Sequence, residues 1–387
     1  MTQVKKESAN ETRPKIKFRI DLRKNMMVVA LVVIWAVFTV LSGGSYLTPR
    51  NFTNLFRQAV FTAILAIGML PVIVLGHIDL SVGSIAALSG GVVGMMTTWN
   101  AYSLWPAITV AILIGFAVGL WNGFWVAHRG VPAFVVTMAS MLVFRAALVG
   151  LTNGITISPM PDALKTVGAG FLAGSLGYPI ACIGCVTMIF SQWNDRSRKM
   201  ALSLPVVSSS AEIFRSILAV AVIGLFMYMM ASYRGIPNAL LIILVLVVIF
   251  QYVLNKTVFG RRIYAIGGNS KASQLAGINI KKTTLIVFGI NGIIAAIAGI
   301  FLSSRLNSAS SLAAASSELD AIAACVIGGT SMLGGIGTVT GTMIGALVIQ
   351  SIQNGMSLLD TPSFWQDIVK GLVLLFAVWF DISRKKK

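Results

Sequence analysis

The side chains able to do chemistry are few, and most interrupt apolar runs. The stretch GHIDLSVGS, residues 76–84, puts Asp79 at the end of a long apolar segment, beside His77 and the hydroxyls of Ser81 and Ser84. An acid at membrane depth is costly and is usually paired or functional. Two readings stay open. Asp79 caps the amides of a helix beginning near Ser81, which suits the sign of the helix dipole, or it lines a transport path. Asn122, Arg145, Asn291, Gln350, Gln353 and Asn354 also interrupt apolar runs. Their ordinary use is an interhelical hydrogen bond. A polyol pathway would use the same residue types and add Trp121, Trp125 or Phe134, because a sugar ring presents both hydroxyls and C–H faces. Asp79, Ser81, Asn122, Phe134 and Asn291, with Gly328 and Gly329, are the candidate path or gate residues. Glu318 and Asp320 stand just before that second glycine cluster, where they would cap a short helix or meet an external partner.

Other chemistries lack their signatures. His77 and His128 are the only histidines, and neither sits in an H-E-x-x-H pattern, so no metal site is expected. No catalytic residues are assigned. His77 and Asp79 share one turn rather than flanking a reacting atom. Cys182 and Cys185 form a C-x-x-C in apolar surroundings, read as two small packing residues on one helix face. No G-x-x-x-x-G-K-[ST] occurs, so ATP-driven work would need a separate ATPase subunit, and no cofactor is expected in this chain. Membrane carboxylates are too sparse for a proton relay.

The elements that position these residues are apolar segments. Hydrophobic residues make up 56% of the chain, charged residues 11%, and the mean hydropathy is +0.86. Ordinary soluble domains carry roughly twice that charged fraction. Apolar runs at 26–41, 58–76, 81–98, 105–127, 131–150, 176–190, 213–232, 237–254, 284–303 and 364–381 approach the ~20 residues that cross a bilayer. The chain is therefore an all-α polytopic membrane protein. About ten transmembrane helices are expected, plus a broken or re-entrant helix pair at 321–354. The glycine-rich breaks at 76–84 and 321–354 hint at two weakly related halves.

The net charge of +18 gathers in the N-terminal tail 1–25, the loop 191–201, the stretch 255–282 and the tail 382–387. That is the positive-inside pattern, with attraction to anionic lipid secondary, and it speaks against nucleic-acid binding. Both termini and the 255–282 loop are expected in the cytoplasm, around a permease domain at 26–381. For the C-terminus to lie inside, 321–354 must enter and return on the outer side as a half-helix, a turn and a return helix. In NKTVFGRRIYAIGGNSKASQLAGINIKK, glycines bracket a short helical run, SKASQLAG, suited to docking a soluble partner or simply to a solvated loop.

Three motifs then carry a resemblance. GHIDLSVGS at 76–84, FGRRIYAIGGNSKASQLAGINIKK at 259–282 and ELDAIAACVIGGTSMLGGIG at 318–337 resemble the permease subunits of monosaccharide ABC importers, the ribose, galactose and xylose class. The resemblance runs from about residue 26 to the end. LTNGITISP, QWNDRSRKMAL and NGMSLLDTPSFWQDIVKG are most similar to the D-xylose members. VLGHIDLSVGS also resembles the multiple-monosaccharide permeases. The resemblance implies a multi-pass protein of the bacterial inner membrane that works as a homodimer. It implies an ATPase partner that binds ATP and Mg, and an extracytoplasmic sugar-binding protein. It also implies coupling to the ATPase through Arg261, Arg262, Gly267, Gly268, Asn269 and Gln274. The alternatives are a ribose, galactose or multiple-monosaccharide importer, an ATP-independent secondary transporter, and a membrane-embedded enzyme, for which no nucleophile–base pair is found.

Overall fold

The computed structural model describes residues 22–172, 174–202, 204 and 209–385. Most of the N-terminal tail 1–25 and the last two lysines of the C-terminal tail 382–387 lie outside the described residues. The described residues divide into two compact units, a smaller one within 174–235 and a larger one of 26–172 with 236–385.

The larger unit holds α1 (Leu22–Leu41, from Met26 on), α2 (Pro49–Val74), α3 (Val82–Gly94, extended by a π-helical turn Met95–Trp99), α4 (Leu104–Ala127), α5 (Ala133–Thr152) and α6 (Asp162–Ala169). After the smaller unit it continues with α9 (Asn238–Lys256), α10 (Val258–Gly268), α11 (Ser270–Leu275), α12 (Ile280–Leu306), α13 (Ser317–Ile327), α14 (Val339–Leu358) and α15 (Ser363–Lys385). Its only strands among the described residues, β1 (Phe171–Leu172) and β2 (Ile236–Pro237), pair antiparallel where the chain leaves and re-enters the unit. The smaller unit is a hairpin of α7 (Gly174–Ala201) and α8 (Ser209–Ala231).

Eight helices among the described residues are long and apolar enough to cross a membrane, and the apolar Met27–Leu41 of α1 is a shorter one. With α7, helices cover all ten expected spans, and α13–turn–α14 is the broken pair. The chain is an all-α integral membrane protein.

α2 lies at the centre. It is apolar all round and buried continuously from Ala59 to Val74, as expected of a helix surrounded by others. α12 packs most extensively against α4. Gly115, Gly119 and Gly123 form one small-residue stripe on α4. A Cβ on Gly119 would collide with the Phe288 carbonyl of α12, and one on Gly292 of α12 would collide with the Gly115 carbonyl. The two backbones therefore touch, a small-residue contact that works without any hydrophobic drive between helices in lipid.

Several boundaries differ from expectation for local reasons. α2 begins at Pro49 rather than near residue 58. Thr48 caps it through Asn51 N at 3.5 Å, and a proline at the first helical position costs no hydrogen bond. The basic 191–201 stretch is not a loop but the last turns of α7, tied to α8 by the Arg196–Glu212 ion pair and by Ser216 Oγ donating to Gln192 Oε1 at 2.7 Å. The basic 255–282 stretch is helical over much of its length. The segment after α5 contains α6.

Candidate functional site

Two regions of the larger unit concentrate the candidate residues. The first surrounds Asp79, on the non-helical stretch between α2 and α3, with zero exposure. Its Oδ1 accepts from Ser81 N at 2.9 Å and from Ser81 Oγ at 2.6 Å. Its Oδ2 accepts from Asn291 Nδ2, near the middle of α12, at 2.8 Å. Ser81 Oγ accepts in turn from Asn122 Nδ2 of α4 at 2.8 Å, and Asn122 Oδ1 accepts from Ser140 Oγ of α5 at 2.6 Å. All five side chains are buried. Ser81 and Asn291 bond the carboxylate directly, and Asn122 and Ser140 extend the chain of bonds, so the start of α3 is joined through it to α4, α5 and α12.

The expected cap of the α3 amides is not formed: Asp79 accepts from the amide and hydroxyl of Ser81, the residue before the first turn, and among the described residues no side chain caps the amides of α3. The third donor to Asp79 comes from near the middle of α12. α2 accommodates the network by carrying Gly68 there: a Cβ at that position would lie 2.8 Å from Asn291 Oδ1. Ser140 belongs to the network without having been singled out, because one serine in TMASMLVF carries no distinguishing sequence signal. Phe134 does not belong; it is 54% exposed on α5. The aromatics near the network are Trp121 and Trp125, which with Ser140 line a crevice of about 520 Å³ between α4 and α5.

The second region is the meeting of α10 with the turn between α13 and α14. Gly260 starts a sharp corner after α9: a Cβ there would collide with the Val253 and Leu254 carbonyls, and Thr257 Oγ1 accepts from Gly260 N at 3.1 Å. α10 then buries Ile263 and Ile266 and leaves Arg261 and Arg262 exposed. Its last turn lies backbone to backbone on its neighbours. A Cβ on Gly267 would collide with the Val74 carbonyl at the end of α2, while a Cβ on Gly268 would meet nothing within 4 Å. The facing turn is built for this approach. Gly334 and Gly335 have φ of +87° and +75°, a left-handed conformation that side chains rarely accept. Gly335 N donates to the Val74 carbonyl at 2.8 Å.

Side chains complete the junction. Tyr264 Oη donates to the Gly337 carbonyl at 2.8 Å, and burial pushes its phenol up, so it stays a donor. From α15, Asp381 Oδ2 accepts from Met332 N at 3.2 Å. Gly328 and Gly329 end α13: a Cβ on Gly328 would lie 2.5 Å from the Gly341 carbonyl of α14, and Gly329 has φ +84°. The turn of the broken pair therefore reaches the end of the unit where α10 lies.

Beyond the junction, Asn269 ends α10 and opens α11, its Oδ1 accepting from Ala272 N at 3.0 Å. Lys271 and Gln274 are exposed, and Leu275 is 91% exposed. Of the coupling candidates, Arg261, Arg262, Asn269 and Gln274 face outward, and Gly267 and Gly268 face the turn. Leu275 and Tyr264 escaped notice because a leucine and a tyrosine in a glycine-marked segment look like ordinary packing residues.

The family model described as branched-chain amino acid transport system / permease component matches residues 51–378. The chain is 48% identical over 372 residues to the xylose transport system permease protein of Haemophilus influenzae, covering 95% of this chain and 98% of that one. It is 45% identical over 368 residues to the xylose transport system permease protein of Escherichia coli, covering 95% and 94%. The ribose import permease protein of Haemophilus influenzae is 35% identical over 365 residues, covering 94% of each. No solved structure matches.

Proposed function

The chain belongs to the branched-chain amino acid transport system / permease component family, and on that premise we propose that it imports D-xylose as the membrane-spanning subunit of an ATP-binding-cassette importer. The family description speaks of amino acids, but relatives matched over nearly the whole chain are xylose permeases at 45–48% identity, against 35% for a ribose permease. That gap supports xylose over the ribose alternative. The chain carries no ATPase site of its own. ATP and Mg bind a separate subunit on the cytoplasmic side, and a sugar-binding protein delivers the substrate from outside. Two copies of the permease work together in the bacterial inner membrane, with both termini, including the tails 1–25 and 382–387, in the cytoplasm and lipid around the permease domain 26–381.

The observation that carries this reading is the junction of Gly267 and Gly268 with the 328–338 turn and the end of α2. The exposed surface of Arg261, Arg262, Asn269, Gln274 and Leu275 docks the ATPase. When the ATPase domains close, α10 and α11 move with them. At Gly267 the backbone of α10 meets the end of α2 and the turn directly, and Tyr264 adds a bond to the turn, so the displacement passes to α13, α14 and α2. The Asp79 network, with Ser81, Asn122 and Asn291, anchors α3, α4 and α12 while those helices shift. Phe134, Gly328 and Gly329 remain proposed path or gate positions. Binding of the loaded receptor shifts the equilibrium only by its differential contact with the outward- and inward-open states.

Reconstitution tests the reading. Liposomes holding the permease with its ATPase should accumulate xylose when the loaded binding protein and ATP are both present. Uphill uptake by the permease alone, driven by a proton or sodium gradient, would establish a secondary transporter instead.

A further inference from the structure

Two carboxylates at the start of α13 are satisfied very differently. Asp320 is complete: Gln353 Nε2 of α14 donates to its Oδ2 at 3.0 Å, and Lys370 Nζ of α15 lies 3.8 Å away, shared with Asp367 at 3.6 Å. Glu318 is 7% exposed, and its Oε2 is buried with no hydrogen-bond partner. Its one polar contact is with its own backbone amide. From α5, Arg145 acts on it electrostatically, yet Nε and Nη2 of Arg145 are also buried with no partner. Among the described residues no ion pair joins the two. Gly83, at the start of α3, leaves the space in which Oε2 sits, since a Cβ there would fall on that oxygen.

Buried charges short of partners are costly, and each such group calls for something that completes it. What completes this pair must donate to Glu318 and accept from Arg145 together. A hydroxyl does both. Charge narrows the choice further. Glu318 and Arg145 carry opposite charges, so a bound ion would leave the pair with a net charge, whereas a neutral polyol would not. Adjacent hydroxyls on one ring can bridge the two charged groups at once.

We propose that Arg145 and Glu318 form a contact site for the hydroxyls of the transported monosaccharide. The proposal rests on the sugar-importer reading and names a station for the sugar inside the membrane part. Asp320, Gln353 and Lys370 hold the other face of α13, while Glu318 Oε2 lies against Gly83 at the start of α3.

The test uses the full chain in nanodiscs and saturation-transfer NMR with D-xylose. Wild type should transfer saturation to the sugar. Glu318→Gln and Arg145→Gln should each lower it about tenfold, the loss expected for a charge-assisted hydrogen bond. ATPase stimulation by the loaded binding protein should survive in Glu318→Gln, which separates a sugar contact from a structural latch. Equal transfer in wild type and both variants overturns the site. So does a wild type that gives no transfer while its full complex imports xylose, and that result leaves the import function standing and needs no variant to fold. A wild-type complex that imports no sugar overturns the function, and the site with it.

Discussion

The two interrupted regions, 75–81 and 328–338, look alike in sequence, each a polar, glycine-rich break in an apolar run, but they are held in opposite ways. The first is locked by side chains. One carboxylate, Asp79, takes donors from Ser81 and Asn291, and the chain of bonds runs on through Asn122 to Ser140. The second is locked mostly by backbone. Gly267, Gly334 and Gly335 bring main chain against main chain, and the Val74 carbonyl receives the Gly335 amide. A side-chain network concentrates its energy in one group and makes a fixed point. Glycine-on-carbonyl contact spreads along the backbone and makes a stiff joint. An anchor and a transmitter are the two parts a lever needs.

Gly267→Val should break the joint most completely. The new side chain cannot coexist with the Val74 carbonyl, and overpacking of this kind costs about 1–3 kcal/mol or forces the helices apart. Membrane insertion should persist while ATP-driven uptake falls more than about tenfold, a change of roughly 1.4 kcal/mol in coupling. Gly268→Ala, with open space for its Cβ, should stay near wild type. Gly268→Pro should uncouple transport by removing an amide from the last turn of α10. Wild-type uptake in Gly267→Val or in Gly268→Pro would remove the joint from the mechanism.

The anchor should fail differently. Asp79→Ala strands the donors of Ser81 and Asn291 in a dry interior, at about 1–3 kcal/mol for each group left unmatched. The expected signature is a lower thermal unfolding midpoint, with ATPase stimulation retained per folded molecule. Loss of stimulation without loss of stability would place Asp79 in the transport step and erase the distinction between the regions. Leu275→Ala, at the exposed tip of α11, should leave stability within about 0.5 kcal/mol. It should weaken ATPase assembly by more than about 1 kcal/mol if this leucine is an interface anchor, read by co-purification across a titration. Arg261→Gln should have the smallest effect, less than about 1 kcal/mol and fading as salt rises.

Much of this architecture was legible in residues 26–381. Apolar run length gave the helices, while the close contact of α4 with α12 through Gly115, Gly119 and Gly123 was not singled out, because spaced glycines in an apolar run do not name their partner helix. Asp79, Ser81, Asn122 and Asn291 stood out because polar side chains in apolar runs need partners, and the fold makes them one another's partners. Ser140 and Tyr264 did not stand out, since a lone hydroxyl in a helix has no periodic or compositional mark. The reach of the 328–338 turn was hidden too. Run length counts residues in the apolar segment but does not say that α13 ends beside α10. The 191–201 stretch misled because its charge reads as solvated loop, whereas Arg, Lys and Met favour helix and Arg196 finds Glu212 across the hairpin.

The most direct test of the stiff joint is a distance. Spin labels at Lys271→Cys and Leu333→Cys report on the two exposed flanks of the junction, measured by pulsed electron resonance in the full complex with and without trapped nucleotide. A transmitting joint predicts that this separation holds within about 2 Å while a pair from Leu333→Cys to Tyr102→Cys shifts by more, as expected for helix shifts at a switching interface. A junction that opens by about a helical turn while the turn stays fixed against its own helices would contradict it.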